Sequence, residues 1–63
     1  MSDSLEYLID QIEDRRKNIM EALGDGSAKD FHSYQLAVGE IRGLLFTQSL
    51  IKDLAKTMEE FDD

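Results

Sequence analysis

Histidine, the side chain that titrates nearest neutral pH, occurs once in this chain, at position 32. A metal site or an activated nucleophile built around His32 would need a cysteine or a second histidine, and the chain contains neither. The Glu-x-x-His spacing of a di-iron carboxylate site is also missing. The sequence therefore predicts a protein that is not an enzyme, with no catalytic residue, no metal and no cofactor, and a surface position for His32.

A single run of basic residues, 15–17, offers the only cluster that resembles a phosphate-binding site. Glu13 precedes this run, and its spacing to Lys17 favours a local ion pair on a helix. Arg15 falls where the first predicted helix would present its seam, so we expect it either to extend its charged end to solvent or to pair with an acid such as Glu40. With 14 acidic and 7 basic residues the formal charge is -7, which disfavours nucleic acid and anionic lipid as partners.

The apolar stretches are interrupted by charged residues every few positions, and the N-terminal segment has neither a basic region nor an unbroken apolar run. The sequence therefore predicts no membrane span and no signal peptide. A chain of 63 residues without cysteine forms one domain, 1–63, and has no disulfide to support a small core. We expect the missing burial to come from association with protein.

The first part of the chain shows the apolar spacing of an amphipathic helix. The residues that form this stripe are Leu5, Leu8, Ile12, Ile19 and Ala22. Asp3, followed by Glu6 three positions later, is typical of a helix start. The pattern predicts a helix over about 4–23.

A turn and a longer helix follow. Gly24 is expected to close the first helix in the left-handed conformation, and Ser27 to cap the second helix, with Asp30 three residues further on. The sequence thus predicts an all-α helical hairpin with a turn at 24–27 and a long helix over about 28–61. Gly39 and Gly43 weaken the long helix, so the sequence leaves open whether it is broken there.

The long helix carries a heptad pattern that predicts a contact seam with the first helix. Its members are Tyr34, Ala37, Ile41, Leu44, Gln48, Ile51, Ala55 and Met58. Because the second helix is longer, folding back from a short turn is expected to bring Leu5 level with about Gln48. The apolar residues beyond that point would then lack a partner within the chain; they are Ile51, Leu54, Met58 and Phe61.

Further apolar residues and two glycines fall on the side of the long helix that a simple hairpin leaves to solvent. A helix that is apolar nearly all round is normally buried on more than one side. The sequence therefore predicts completion of the fold by self-association or by docking to another protein. The predicted partner-binding residues are Leu36, Gly39, Gly43, Phe46, Leu50, Ile51, Leu54, Met58 and Phe61.

Four stretches together resemble a class of small acidic helical proteins encoded by tailed bacteriophages: GSAKDF at 26–31, YQ at 34–35, VGEIRGL at 38–44 and IKDLAK at 51–56. In that class the pattern is GxxKDF/Y, then YQ, then VGxIxGL. Genes of this kind tend to lie near virion structural genes, and most carry no assigned function.

The resemblance implies a non-enzymatic phage accessory protein, associated with the virion or acting in the host cytoplasm, that binds a capsid, portal or tail protein. An alternative is an early phage protein that inhibits a host enzyme through its acidic surface. A small RNA-binding helical hairpin is a third class. It ranks last because it needs a basic or aromatic-rich face, and this sequence has one basic cluster of three residues.

Overall fold

The computed structural model describes residues 3–61, and the side chains of residues 3–59. Helix α1 comprises Asp3–Gly24 and helix α2 comprises Phe31–Phe61, and the two helices pack against each other. No strand occurs in this part of the chain. The predicted all-α helical hairpin is confirmed.

The end of α1 is closed by a hydrogen-bond pattern centred on Gly26. The Ser27 amide donates to the carbonyl of Ala22 at 3.0 Å, and the Gly26 amide donates to the carbonyl of Leu23 at 3.1 Å. Gly26 has a φ of 83°, the left-handed conformation that such a closure requires. The expectation that Gly24 takes this role is wrong. Gly24 is the last helical residue, because the closing bonds come from the amides of the two residues 26 and 27.

Helix α2 starts three residues later than expected, because Asp30 caps it. The Asp30 Oδ1 atom accepts a hydrogen bond from the Ser33 amide at 2.7 Å, and the Asp30 carbonyl accepts one from the Tyr34 amide at 3.1 Å. The prediction of Ser27 as the cap is wrong, since its amide already closes α1. A carboxylate also suits the positive end of the helix dipole. The connection is therefore 25–30 and not 24–27.

Helix α2 continues without a break through both of its interior glycines. At Gly43 the backbone carbonyl accepts a hydrogen bond from Thr47 Oγ1 at 2.8 Å, in addition to its place in the helix. The sequence left open whether the helix breaks at Gly39 or Gly43, and the structure shows that it does not. Residues on both sides of α2 therefore belong to one continuous helix.

The contact between the helices, here called the inner seam, is narrow. Its buried members are Ile19 at 8% exposure, Ala55 at 3% and the polar Gln48 at 8%. The half-buried members are Leu5, Ile12, Ala22, Ala37, Ile41, Leu44 and Ile51. The predicted seam is confirmed along its middle, whereas Tyr34 and Met58 at its ends are 48% and 43% exposed, and Leu8 of the predicted α1 stripe is 45% exposed.

The register of the hairpin differs from the sequence-based expectation. Gln48 Nε2 donates to Glu13 Oε2 at 3.1 Å, so Gln48 lies level with Glu13 and not with Leu5. Because the connection is longer, α2 is shifted relative to α1. Each residue of α1 therefore lies opposite a residue further along α2 than expected. Ile51 is consequently half-buried on the inner seam, and the expectation that it lies beyond the reach of α1 is wrong.

Neither helix, over the residues described, has the length and apolar composition that crossing a bilayer requires.

Candidate protein-binding surface

The side of α2 that points away from α1 carries a continuous apolar row, here called the outer face of α2. Its members are Leu36, Gly39, Gly43, Phe46, Leu50 and Leu54. At about 100° per residue, this row lies roughly 130° around the helix axis from the inner seam. Helix α1 therefore cannot cover it.

The large side chains of this row are open to solvent. Leu36 is 63% exposed, Phe46 67%, Leu50 52% and Leu54 50%. Single exposed apolar residues are ordinary on protein surfaces, whereas a contiguous apolar row is a candidate interaction site. The geometry thus brings together six of the nine residues that the sequence predicts to bind a partner.

The remaining three predicted residues lie elsewhere. Ile51 belongs to the inner seam, and Met58 lies between the seam and the outer face with 43% exposure. The side chain of Phe61 lies outside the described part of the chain, although its backbone ends α2.

Packing among the described residues does not require the two glycines of the outer face. A Cβ atom placed on Gly39 or Gly43 would meet no heavy atom within 4 Å. Both residues also lie in the helix interior, where glycine costs about 1 kcal/mol relative to alanine. Their effect is to leave a shallow depression in the apolar row, where another backbone or side chain has room to approach.

The corresponding side of α1, here called the outer face of α1, is mainly acidic, with the exposed Lys17 as its one basic residue. Its acidic members are Asp3, Glu6, Asp10, Asp14 and Glu21, and all are exposed. They recur at helical spacing on the side of α1 opposite the inner seam. The hairpin therefore presents a charged side and an apolar side in different directions.

One predicted ion pair joins the helices. Arg15 Nη2 lies 2.7 Å from Glu40 Oε1, and Arg15 Nε donates to the same oxygen at 2.8 Å. The expected pairing of Arg15 with Glu40 is confirmed. Since both side chains are substantially exposed, at 59% and 44%, the pair orients the helices more than it stabilises them.

A second polar contact, around Glu13, was only partly predicted. Glu13 accepts hydrogen bonds from Arg16 and from Gln48, in that order of influence, and these hold the pKa of its carboxyl group below the usual value. The expected partner was Lys17. The contact with Gln48 was missed, although a glutamine in a heptad seam is a signal that a polar partner must lie across from it.

The space between the helices near the turn forms a crevice. It has a volume of about 280 Å³ and is lined by Ile19, Ala22, Ala37 and Arg15 among others. His32 is exposed in the first turn of α2. Within the described residues, no three histidine, aspartate or glutamate side chains form a group that could hold a metal ion.

No protein-family model, no curated protein and no solved structure matches this chain. The outer face of α2 therefore has to be interpreted from its own chemistry.

Proposed function

We propose that this chain is a non-enzymatic accessory protein that works by binding protein through the outer face of α2. The observation that carries the proposal is the exposure of its large apolar side chains, from 50% at Leu54 to 67% at Phe46, along one side of one helix. Burying a leucine or phenylalanine fully is worth about 1.5–3 kcal/mol, so a row of them favours association strongly.

The weakness of the hairpin's own core supports the same proposal. Among the described residues, Ile19 and Ala55 are the only buried apolar ones. A domain of this size is marginal even with a good core, and it lacks disulfides. Binding protein through the outer face of α2 would supply the burial that folding alone does not.

The proposed setting comes from the resemblance of 26–31 and 38–44 to small acidic helical proteins of tailed bacteriophages. In that setting the chain is a virion-associated protein, or a protein of the host cytoplasm, that docks onto a capsid, portal or tail protein. A partner surface that is apolar at its centre and neutral or basic at its edges suits a chain with a net charge of -7.

The acidic outer face of α1 favours a second candidate function. Its carboxylates follow one side of a helix at regular spacing and are exposed. An early phage protein with such a surface would block a basic cleft of a host enzyme. This candidate uses α1, whereas the main proposal uses α2, so variants of the two faces separate them.

The test is quantitative mass spectrometry of purified particles of the phage that encodes the chain, comparing the natural chain with Leu50→Asp. The variant places a charge in the centre of the outer face of α2, where it would be buried without a partner. We expect the natural chain to be recovered with particles and Leu50→Asp to be lost. Tyr7→Asp is the matched control, since Tyr7 is 62% exposed on α1 and lies outside the outer face of α2.

Two results would overturn the main proposal. If Leu50→Asp and Tyr7→Asp are recovered equally, the outer face of α2 is not the binding surface. If the natural chain is absent from particles, the virion assignment fails. Inhibition of a host enzyme that Asp10→Asn weakens would then establish the second candidate.

A further inference from the structure

We infer that the outer face of α2 binds a second copy of this chain, antiparallel, about a two-fold axis near residues 47 and 48. The inference rests on the proposed function, because it names a second copy as the protein bound at the same surface; a capsid, portal or tail protein would then contact the dimer elsewhere. The assembly is a row of four helices, in which the two α2 helices meet at the centre and each α1 lies on the outside.

The shape of the outer face is the first argument for this partner. Its N-terminal half is thin at Gly39 and Gly43, where no heavy atom lies within 4 Å of an added Cβ. Its C-terminal half is thick, with Phe46, Leu50 and Leu54 at least half exposed. Two antiparallel copies place Leu50 and Leu54 of each copy near the glycines of the other, which fills the depression.

Charge is the second and independent argument. Arg42 and Asp53 lie on the same flank of the outer face, since their spacing is close to three whole turns of helix. Neither makes a hydrogen bond or ion pair within the described residues. In an antiparallel two-fold pair, a flank meets the same flank of the other copy, so Arg42 of each copy faces Asp53 of the other.

These two arguments select the same register. Aligning Arg42 with Asp53 of the second copy puts the axis midway between them, near residues 47 and 48. In that register Gly43 lies level with position 52 of the second copy, midway between Leu50 and Leu54, and Phe46 lies within one residue of Leu50. A parallel pair would instead set Phe46 against Phe46 and glycine against glycine, and would leave both charges unpaired.

The overall negative charge does not oppose this arrangement. The outer face of α1 points away from α2, so the acids of the two copies lie on opposite sides of the row. Neighbouring helices are spaced by about 8–10 Å, which separates the two α1 helices by far more than the screening length of about 8 Å at physiological salt.

Sedimentation equilibrium of the purified chain tests the charge pairing. We expect a dimer for the natural chain, and a dissociation constant raised roughly tenfold by either Arg42→Asp or Asp53→Arg. The double variant Arg42→Asp/Asp53→Arg exchanges the charges and should restore the dissociation constant to nearly its natural value. Circular dichroism at low concentration confirms that each variant remains helical, since both positions are on the surface.

Disulfide trapping tests the orientation, because the natural chain has no cysteine. A mixture of Gly43→Cys and Leu54→Cys chains should oxidise mainly to the mixed disulfide if the copies are antiparallel. Predominance of the Gly43→Cys homodisulfide would overturn the inference in favour of a parallel pair. A natural chain that stays monomeric at all concentrations, or a double variant as weak as the single ones, would also overturn it.

The inference and the proposed function can fail separately. A monomeric natural chain whose Leu50→Asp variant is still lost from particles leaves the binding surface intact and gives it another occupant. An antiparallel dimer that is absent from particles retains the inference and removes the virion assignment.

Discussion

The outer faces of the two helices differ in chemistry, although both point away from the same seam. On α1 the outer face carries exposed carboxylates, from Asp3 to Glu21, together with the exposed Lys17, and charged groups of this kind are stable in contact with water. On α2 the outer face contains exposed leucines and Phe46, and exposing these apolar side chains to water is unfavourable. The hairpin therefore has one side that is stable in contact with water, the outer face of α1, and one side that favours burial against protein, the outer face of α2.

The inner seam is narrow, so burial of the outer face of α2 should affect the stability of the hairpin. Its best-buried residue is Ala55, at 3% exposure, which has little apolar surface to remove from water. The large side chains Phe46 and Leu50 remain on the outer face of α2. Association through that face would add apolar burial to that of the seam, so we expect folding and association to be coupled.

The largest expected effect is the loss of stability when a charge is placed in the inner seam instead of at an exposed position. Ile19→Asp puts a charge at a position that is 8% exposed and removes its apolar packing. We expect a loss of at least about 3 kcal/mol in the free energy of unfolding, enough to abolish the helical signal. The measurement is urea unfolding followed by circular dichroism. The neighbouring Met20→Asp, at 49% exposure, should cost far less, and equal losses would contradict the assigned seam.

The next effect concerns the turn that directs the two outer faces. Gly26→Val forces a β-branched residue into a φ of 83°, which should cost about 1–2 kcal/mol or more. Gly24→Val should cost less, because Gly24 is helical and nothing lies within 4 Å of an added Cβ. Thermal melting of both variants checks the order. A reversed order would return the closure of α1 to Gly24.

Gly43→Ala should have opposite effects on the isolated hairpin and on its association. In dilute solution the change should stabilise the hairpin by up to about 1 kcal/mol, because alanine favours the helix and the site is open. At high concentration the gain should shrink, because the added methyl group occupies the depression in the outer face of α2. Ser49→Ala, at an exposed position beside that face, should behave alike at both concentrations. An identical gain for Gly43→Ala at all concentrations would mean that nothing approaches it closely.

The smallest effect is a pH dependence within the seam. Hydrogen bonds from Arg16 and Gln48 lower the pKa of Glu13 in the folded chain. A carboxyl group with a lowered folded pKa contributes stability above its unfolded pKa, and this is lost as the pH falls through the folded pKa. Glu13→Gln should therefore be less stable than the natural chain at neutral pH, and the difference should shrink on acidification. Urea unfolding at several pH values measures it, and a constant difference would exclude this ionic contribution.

Periodicity was sufficient to predict the helices and the seam. The spacing of Leu5, Ile12 and Ile19 identifies one side of α1, and this assignment does not depend on how the chain turns. The closure of the helices was not predictable in the same way, because Gly24 and Gly26 carry equal local signals. The choice between them depends on which amides complete the closing hydrogen bonds.

The register was missed for a related reason. Asp30 caps α2, and not Ser27 as expected, so the connection is longer than expected. Every contact across the seam is therefore shifted along α2. The contact of Glu13 with Gln48 depends on that shift, so spacing within either helix could not reveal it. The outer face of α2 was predictable, since it depends only on helical periodicity within one segment. Ile51 was assigned to the uncovered residues because its burial depends on the register.

The most direct test of whether self-association through the outer face of α2 stabilises the fold is the dependence of the thermal unfolding midpoint on protein concentration. Over about a hundredfold range, the natural chain should show a midpoint that rises by several degrees, because association stabilises the folded hairpin. Leu54→Asp, with its charge on the outer face of α2, should remove this dependence while the dilute hairpin still folds. A midpoint of the natural chain that stays constant, together with a monomer at every concentration, would contradict the coupling of folding to self-association.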